Sequence, residues 1–131
     1  MGVEKPTVAT QEGSMKLWNL ADREVEPHKP QVLATTEEGR AVLIDLTAGD
    51  SLPEHHVRER AIVLVVSGQL EIEDAEGEKR KCGAGTMAVF EPLESHSVNA
   101  LEDSRFLLLL APWSLEEHSS LEPWRRSASS A

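Results

Sequence analysis

The chain has 131 residues, of which 40% are hydrophobic, with one cysteine and a formal net charge of −10 from 23 acidic against 13 basic residues. That length suits one domain with a core large enough to need no disulfide or metal staple, and the acidic balance argues against nucleic acid backbones and anionic membrane surfaces as partners. No apolar run approaches the roughly 18 residues of a membrane helix, the opening MGVEKPTVAT lacks the regions of a secretory signal, and Cys82 has no second cysteine to pair with, so cytoplasmic residence is the default expectation.

Residues 1–13 are polar and aperiodic and are expected to form a loose arm. A short edge strand is predicted over 15–20, followed by a surface loop over 21–30, where Pro27 and Pro30 disfavour regular structure. The body, 31–111, follows a β pattern. Residues 31–36 and 40–47 are β-prone runs separated by Glu37-Glu38-Gly39, and 61–66 is a continuous apolar run, which predicts a strand covered on both faces. Leu70-Glu71-Ile72-Glu73 alternates, so one face of that strand meets water. Asp74-Ala75-Glu76-Gly77 is a hairpin turn, 78–82 the returning strand, and Gly83-Ala84-Gly85 a second turn. Strands over 86–90, 96–101 and 105–111 complete the set. From 112 onward the chain becomes a tail in which Trp113, Leu115, Leu121 and Trp124 stand among polar residues. Many short strands with turn residues every eight to twelve positions predict an all-β sandwich or barrel.

Two stretches, GDSLPEHHVRERAIVLVVSG over 49–68 and GTMAVFEPLESHSVNA over 85–100, sharpen that expectation. Together they resemble the paired motifs of the cupin family, small β-barrels that usually hold a metal on three histidines and a glutamate. The first motif, G-x5-H-x-H-x3-E-x6-G, is matched at Gly49, His55 and Gly68, while Val57 and Ala61 occupy its second histidine and glutamate positions. The second, G-x5-P-x-G-x2-H-x3-N, is matched at Gly85 and His96, while Glu91, Leu93 and Ala100 replace its proline, inner glycine and asparagine. The resemblance implies a single double-stranded β-helix, or jelly roll, over 31–111, and it suggests a homodimer. The apolar runs 61–66 and 106–110 also favour self-association.

Alternation within strands assigns faces. His96 shares its face with Val98 and Ala100 and is expected to point inward. Counted without a bulge, His55 shares parity with Val57, Glu59, Ala61, Val63 and Val65, and His56 falls on the opposite face. An inward histidine is either a metal ligand, which needs about three converging donors, or a structural group bonded to a carbonyl or water. Glu59 is the candidate third donor, with His56 as the substitute; alternatively its charge pairs with Arg58 or Arg60 at the barrel mouth. His28 and His118 are expected to be solvated, and Cys82 to be a spectator without a base.

Two functions are compatible with these residues. One is a binder of a small organic molecule, with Val57, Ala61, Val63 and Val98 lining the barrel pocket and either no cofactor or a weakly held divalent iron, manganese, nickel or zinc ion. The other is a metal-dependent dioxygenase or isomerase using His55, His96 and Glu59 or His56. No catalytic residue is assigned by either.

Overall fold

The computed structural model describes residues 10–12, 15–55 and 58–112. The described residues form strands and turns and contain no helix. In chain order the strands are β1 (Thr10–Glu12), β2 (Met15–Leu17), β3 (Gln31–Thr35), β4 (Arg40–Leu46), β5 (Ser51–His55), β6 (Arg60–Ser67), β7 (Gln69–Glu73), β8 (Lys79–Gly83), β9 (Met87–Phe90), β10 (His96–Ala100) and β11 (Ser104–Ala111).

β1 and β2 form a hairpin of their own, and the rest divide into a five-stranded sheet, order β3-β4-β11-β6-β9, and a four-stranded sheet, order β5-β10-β7-β8. From β4 to β7, and again from β8 to β11, the chain passes from one sheet to the other at every connection. That winding makes the two sheets a double-stranded β-helix, as the motif spacing implies, and every pairing is antiparallel.

The space between the sheets is filled by their inward rows. Leu46, Ala61, Val63, Val65, Leu70, Val98 and Phe106 are each at most 2% exposed, and they pack as one cluster with Val42, Ile44, Ile72, Cys82 and Phe90. Burial of this kind is worth about 1.5–3 kcal/mol per large apolar side chain, which is what holds the sheets face to face.

The two outer surfaces differ. Across the four-stranded sheet the register aligns Ser51, Asn99, Glu71 and Lys81 in one outward row. Across the five-stranded sheet it aligns Leu43, Leu107, Leu64 and Met87, and beside them Ala41, Leu109, Ile62 and Val89. The expectation that 61–66 is covered on both faces needs correction. Ala61, Val63 and Val65 are buried, but Ile62, Leu64 and Val66 are only half-buried, because among the described residues no second layer fully covers that side.

Three glycines of the motifs hold left-handed backbone: Gly49, Gly68 and Gly85 have φ of 88°, 86° and 88°. Gly68 is additionally pressed against Asp103 and Ser104, so that a Cβ there would overlap the Asp103 carbonyl and the Ser104 hydroxyl. Ser104 is buried, and its Oγ accepts from the Gln69 amide at 2.9 Å, tying the β6–β7 turn to the start of β11.

Ahead of the barrel, the arm expected over 1–13 contains a strand instead: β1 pairs with β2 in the register Thr10↔Leu17 and Glu12↔Met15. A main-chain ladder does not require apolar side chains, so polar composition concealed it. The following segment is strapped to the barrel by Arg105. Its guanidinium donates to both carboxylate oxygens of Asp45, at 2.7 and 3.0 Å, and to the Leu20 carbonyl at 2.7 Å. His28 is exposed, as expected, and is also hydrogen-bonded: Nε2 lies 2.7 Å from Asp50 Oδ2, which also accepts from the Thr47 hydroxyl. These bonds hold the Asp50 carboxyl below its usual pKa, the Thr47 hydroxyl contributing most and His28 next. His118 and the tail over 113–131 lie outside the described residues.

Candidate functional site

The two motif histidines meet in the register. His55, the last residue of β5, and His96, the first of β10, are direct Cα partners in the four-stranded sheet. The pairing depends on an irregularity, because Val98 faces Leu52 and Asn99 faces Ser51, and regular counting from them would set Glu54 opposite His96. One extra residue on β5 therefore brings His55 to His96, as a β-bulge does. The parity count that ran from His55 through Glu59 to Ala61 is corrected in its premise. His55 lies in the four-stranded sheet and Ala61 in the five-stranded one, so the chain changes sheets between them.

His96 is 3% exposed and points inward with Val98 and Ala100. Its ring stacks on Phe90, with centroids 4.0 Å apart and planes inclined by 11°. Nδ1 lies 3.3 Å from the Glu94 carbonyl; with Nδ1 donating there, the neutral ring keeps its lone pair on Nε2. Glu59, just before β6, is buried at 2% exposure. Arg60, one of the two cations weighed for it, is engaged with Glu91 at 2.7 Å, and that carboxylate raises the guanidinium pKa. His56 and Val57 lie outside the described residues.

The four-ligand set of the family motif is incomplete in this sequence. Among the described residues no three histidine, cysteine, aspartate or glutamate side chains are grouped so as to hold an ion. At two of the four ligand positions the chain carries Val57 and Ala61, which have no donor atom. Ala61, Val63 and Val98, expected to line a pocket, are each 1% exposed and belong to the packed core.

A cleft of about 440 Å³ opens at the side of the barrel, where the edge strands β8 and β9 part. Its floor is apolar and comes from both sheets: Ile72 and Cys82 from one, Ala88 and Phe90 from the other. Asp74, Glu78, Arg80, Lys81 and Glu94 supply its polar atoms. The Cys82 thiol is buried and lies 3.8 Å from the Arg80 carbonyl; desolvation raises its pKa, against a smaller opposing effect of the Arg80 charge. On the far side of Phe90, His96 borders a second hollow of about 310 Å³ with Glu73, Asp74, Glu76 and Ser97. Asp74 lines both. The Phe90–His96 stack therefore stands between two openings, one mixed in charge and one acidic.

Sequence reasoning placed His96 and the hairpin correctly but missed Phe90 and the cleft. The signals were present. Cys82 is the apolar exception in a basic strand, two residues from Arg80 on the same face, and Phe90 is one of only two phenylalanines.

No protein-family model matches the sequence, and no curated protein matches it. Solved structures do resemble it. A conserved protein of unknown function from Streptococcus pyogenes superposes with a TM-score of 0.65 at 20% identity, covering 79% of this chain and 93% of that one. KdgF from Halomonas gives 0.62 at 29% identity over 66% of this chain and 80% of its own. A cupin superfamily protein from Desulfitobacterium hafniense gives 0.66 at 15% identity, over 79% and 94%. With its alternating strands, its left-handed glycines at the motif positions and these neighbours, the chain has the cupin fold.

Proposed function

We propose that this protein binds a small organic molecule in the cleft between β8 and β9, against the face of Phe90 turned away from His96. The observation that carries this reading is the cleft's construction. Its volume of about 440 Å³ falls within the roughly 300–1,000 Å³ of small-molecule sites. Its buried floor of Ile72, Cys82 and Phe90, at 5–7% exposure, offers apolar contact, and charged groups stand only around it. A ligand with an apolar or aromatic body and one polar end suits that arrangement. Binding requires no metal, in keeping with the lost donors at Val57 and Ala61.

The test uses two simple probes, benzoate and benzylamine, which share a ring and differ in charge. Titration into isotopically labelled protein is expected to shift the amide signals of Cys82, Ala88 and Phe90 saturably with at least one probe. Ala88→Trp, which fills the cleft, is expected to abolish the shifts. Absence of saturable shifts at these residues with either probe overturns the reading.

One observation favours a metal-dependent enzyme as the second reading: His55 and His96 are opposed across the ladder, with Glu59 buried nearby in the chain. Metal content separates the two. Protein purified without chelator is expected to carry well under one equivalent of iron, manganese, nickel or zinc. Near-stoichiometric metal that disappears in His55→Ala would put the enzyme first.

A further inference from the structure

The charged groups around the cleft between β8 and β9 are not equivalent, because the register of β8 sorts them. Arg80 is the direct partner of Ile72, and Cys82 of Leu70. Side chains of such cross-strand partners leave on the same side, and Ile72, Leu70 and Cys82 are buried in the core. Arg80 therefore rises from the inner face of its strand, two residues from the Cys82 thiol of the cleft floor. Burial raises the pKa of that thiol and the Arg80 charge opposes the rise, so the field of the guanidinium reaches the floor. Lys81, the partner of Glu71, belongs to the outward row.

The acidic groups of the lining already serve the protein's own amides or its cations. Asp74 Oδ1 accepts from the Glu76 and Glu78 amides, each at 2.9 Å, and so fixes the turn between β7 and β8. Glu94 Oε1 accepts from the Glu91 amide at 3.0 Å, and Glu78 Oε2 lies 3.3 Å from Arg80 Nη2. In that last pair the side chains of Arg80 and Glu78 are 73% and 58% exposed, and an ion pair so open to water contributes little. A guanidinium carries five N–H donors, so a contact at one nitrogen leaves Arg80 with donors for a second carboxylate.

From this asymmetry we infer that the cleft takes a small carboxylate with a flat apolar body, the body lying against Ile72, Ala88 and Phe90 and the carboxylate paired with the Arg80 guanidinium. The inference rests on the cleft being a binding site and adds the class of ligand and the residue that selects it. Arginine suits that role, because two of its parallel N–H groups match both oxygens of a carboxylate. The apolar floor holds any ligand with such a body. Arg80 discriminates between ligands of the same shape and different charge.

Three probes of similar shape provide the test: benzoate, its neutral isostere benzamide, and benzylamine. Each is titrated into the isotopically labelled full-length protein while the amides of Cys82, Ala88 and Phe90 are followed. Benzoate is expected to bind at least about tenfold more tightly than benzamide, as a charge-assisted pair requires, and benzylamine more weakly than either. Arg80→Gln, at an exposed position, should bring the affinity for benzoate down to that for benzamide. Lys79→Gln removes the same charge from the outward face of the same strand and should leave benzoate binding within about twofold of the wild type. Benzamide or benzylamine binding as tightly as benzoate overturns the inference. So does undiminished benzoate affinity in Arg80→Gln, or an equal loss in Lys79→Gln, and in each of these cases the cleft still stands as a binding site. Absence of saturable shifts with all three probes removes the cleft as a site, and the inference with it.

Discussion

The rings of Phe90 and His96 lie 4.0 Å apart and nearly parallel, yet they belong to different sheets: Phe90 ends β9 and His96 begins β10. The stack therefore joins the two sheets where the chain crosses between them. Replacing His96 by alanine is expected to cost about 1–3 kcal/mol in denaturant unfolding, from lost packing and a lost hydrogen bond. His96→Phe, which keeps a ring on Phe90, should recover part of that loss. A phenylalanine variant as unstable as the alanine variant would show that the ring's polar atoms, not the stack, carry the contribution.

Gly68 and Gly85 share left-handed backbone but differ in surroundings. A Cβ at Gly68 meets Asp103 and Ser104, whereas one at Gly85 meets nothing within 4 Å. Gly85→Ala is thus expected to cost only the conformational penalty, about 1–2 kcal/mol. Gly68→Ala must add displacement of the Asp103 backbone and should be clearly worse. Thermal unfolding of the two variants side by side checks the order, and equal losses would contradict it.

Leu93 holds φ of 68° at the position where the second motif has its inner glycine. The loop kept the left-handed conformation and accepted a side chain that disfavours it. As Leu93 is half-exposed, Leu93→Gly removes little packing and is expected to stabilise the protein by up to about 1 kcal/mol. A lower unfolding midpoint for this variant would mean that Leu93 makes a contact worth more than the strain.

Burial raises the Cys82 pKa, so the folded protein favours the neutral thiol. Stability from this source is present below the thiol's unfolded pKa, near 8.5, and is lost as pH rises through the folded value. Unfolding midpoints should therefore fall more steeply above about pH 9 in the wild type than in Cys82→Ala. At neutral pH iodoacetamide should label Cys82 far more slowly in native than in unfolded protein, and rapid native labelling would show a thiol open to solvent.

Much of the barrel was legible because short-range rules sufficed. The turns at Gly68, Gly77 and Gly85 each need φ > 0, and Leu70-Glu71-Ile72-Glu73 shows its alternation directly. Of the hairpin β1–β2 only the second strand was legible, because the polar run of β1 leaves no hydrophobic period. The parity count between His55 and Ala61 did not hold, since neither the bulge in β5 nor the change of sheet before β6 has a periodic signature. The cleft was invisible for a related reason: its floor joins Ile72 and Cys82 to Ala88 and Phe90, which come together only when two sheets close.

The sequence by itself determined the strand pattern, the left-handed turns and the identity of the donors that remain, because these depend on single residues and their near neighbours. Tertiary structure alone decided that His55 stands opposite His96, that Phe90 covers the histidine ring, that Arg105 straps the leading segment through Asp45, and that β9 ends the five-stranded sheet among the described residues. Each depends on which strands become neighbours. That choice is made by the burial of one shared core, summed over residues far apart in the chain, and no local pattern records it.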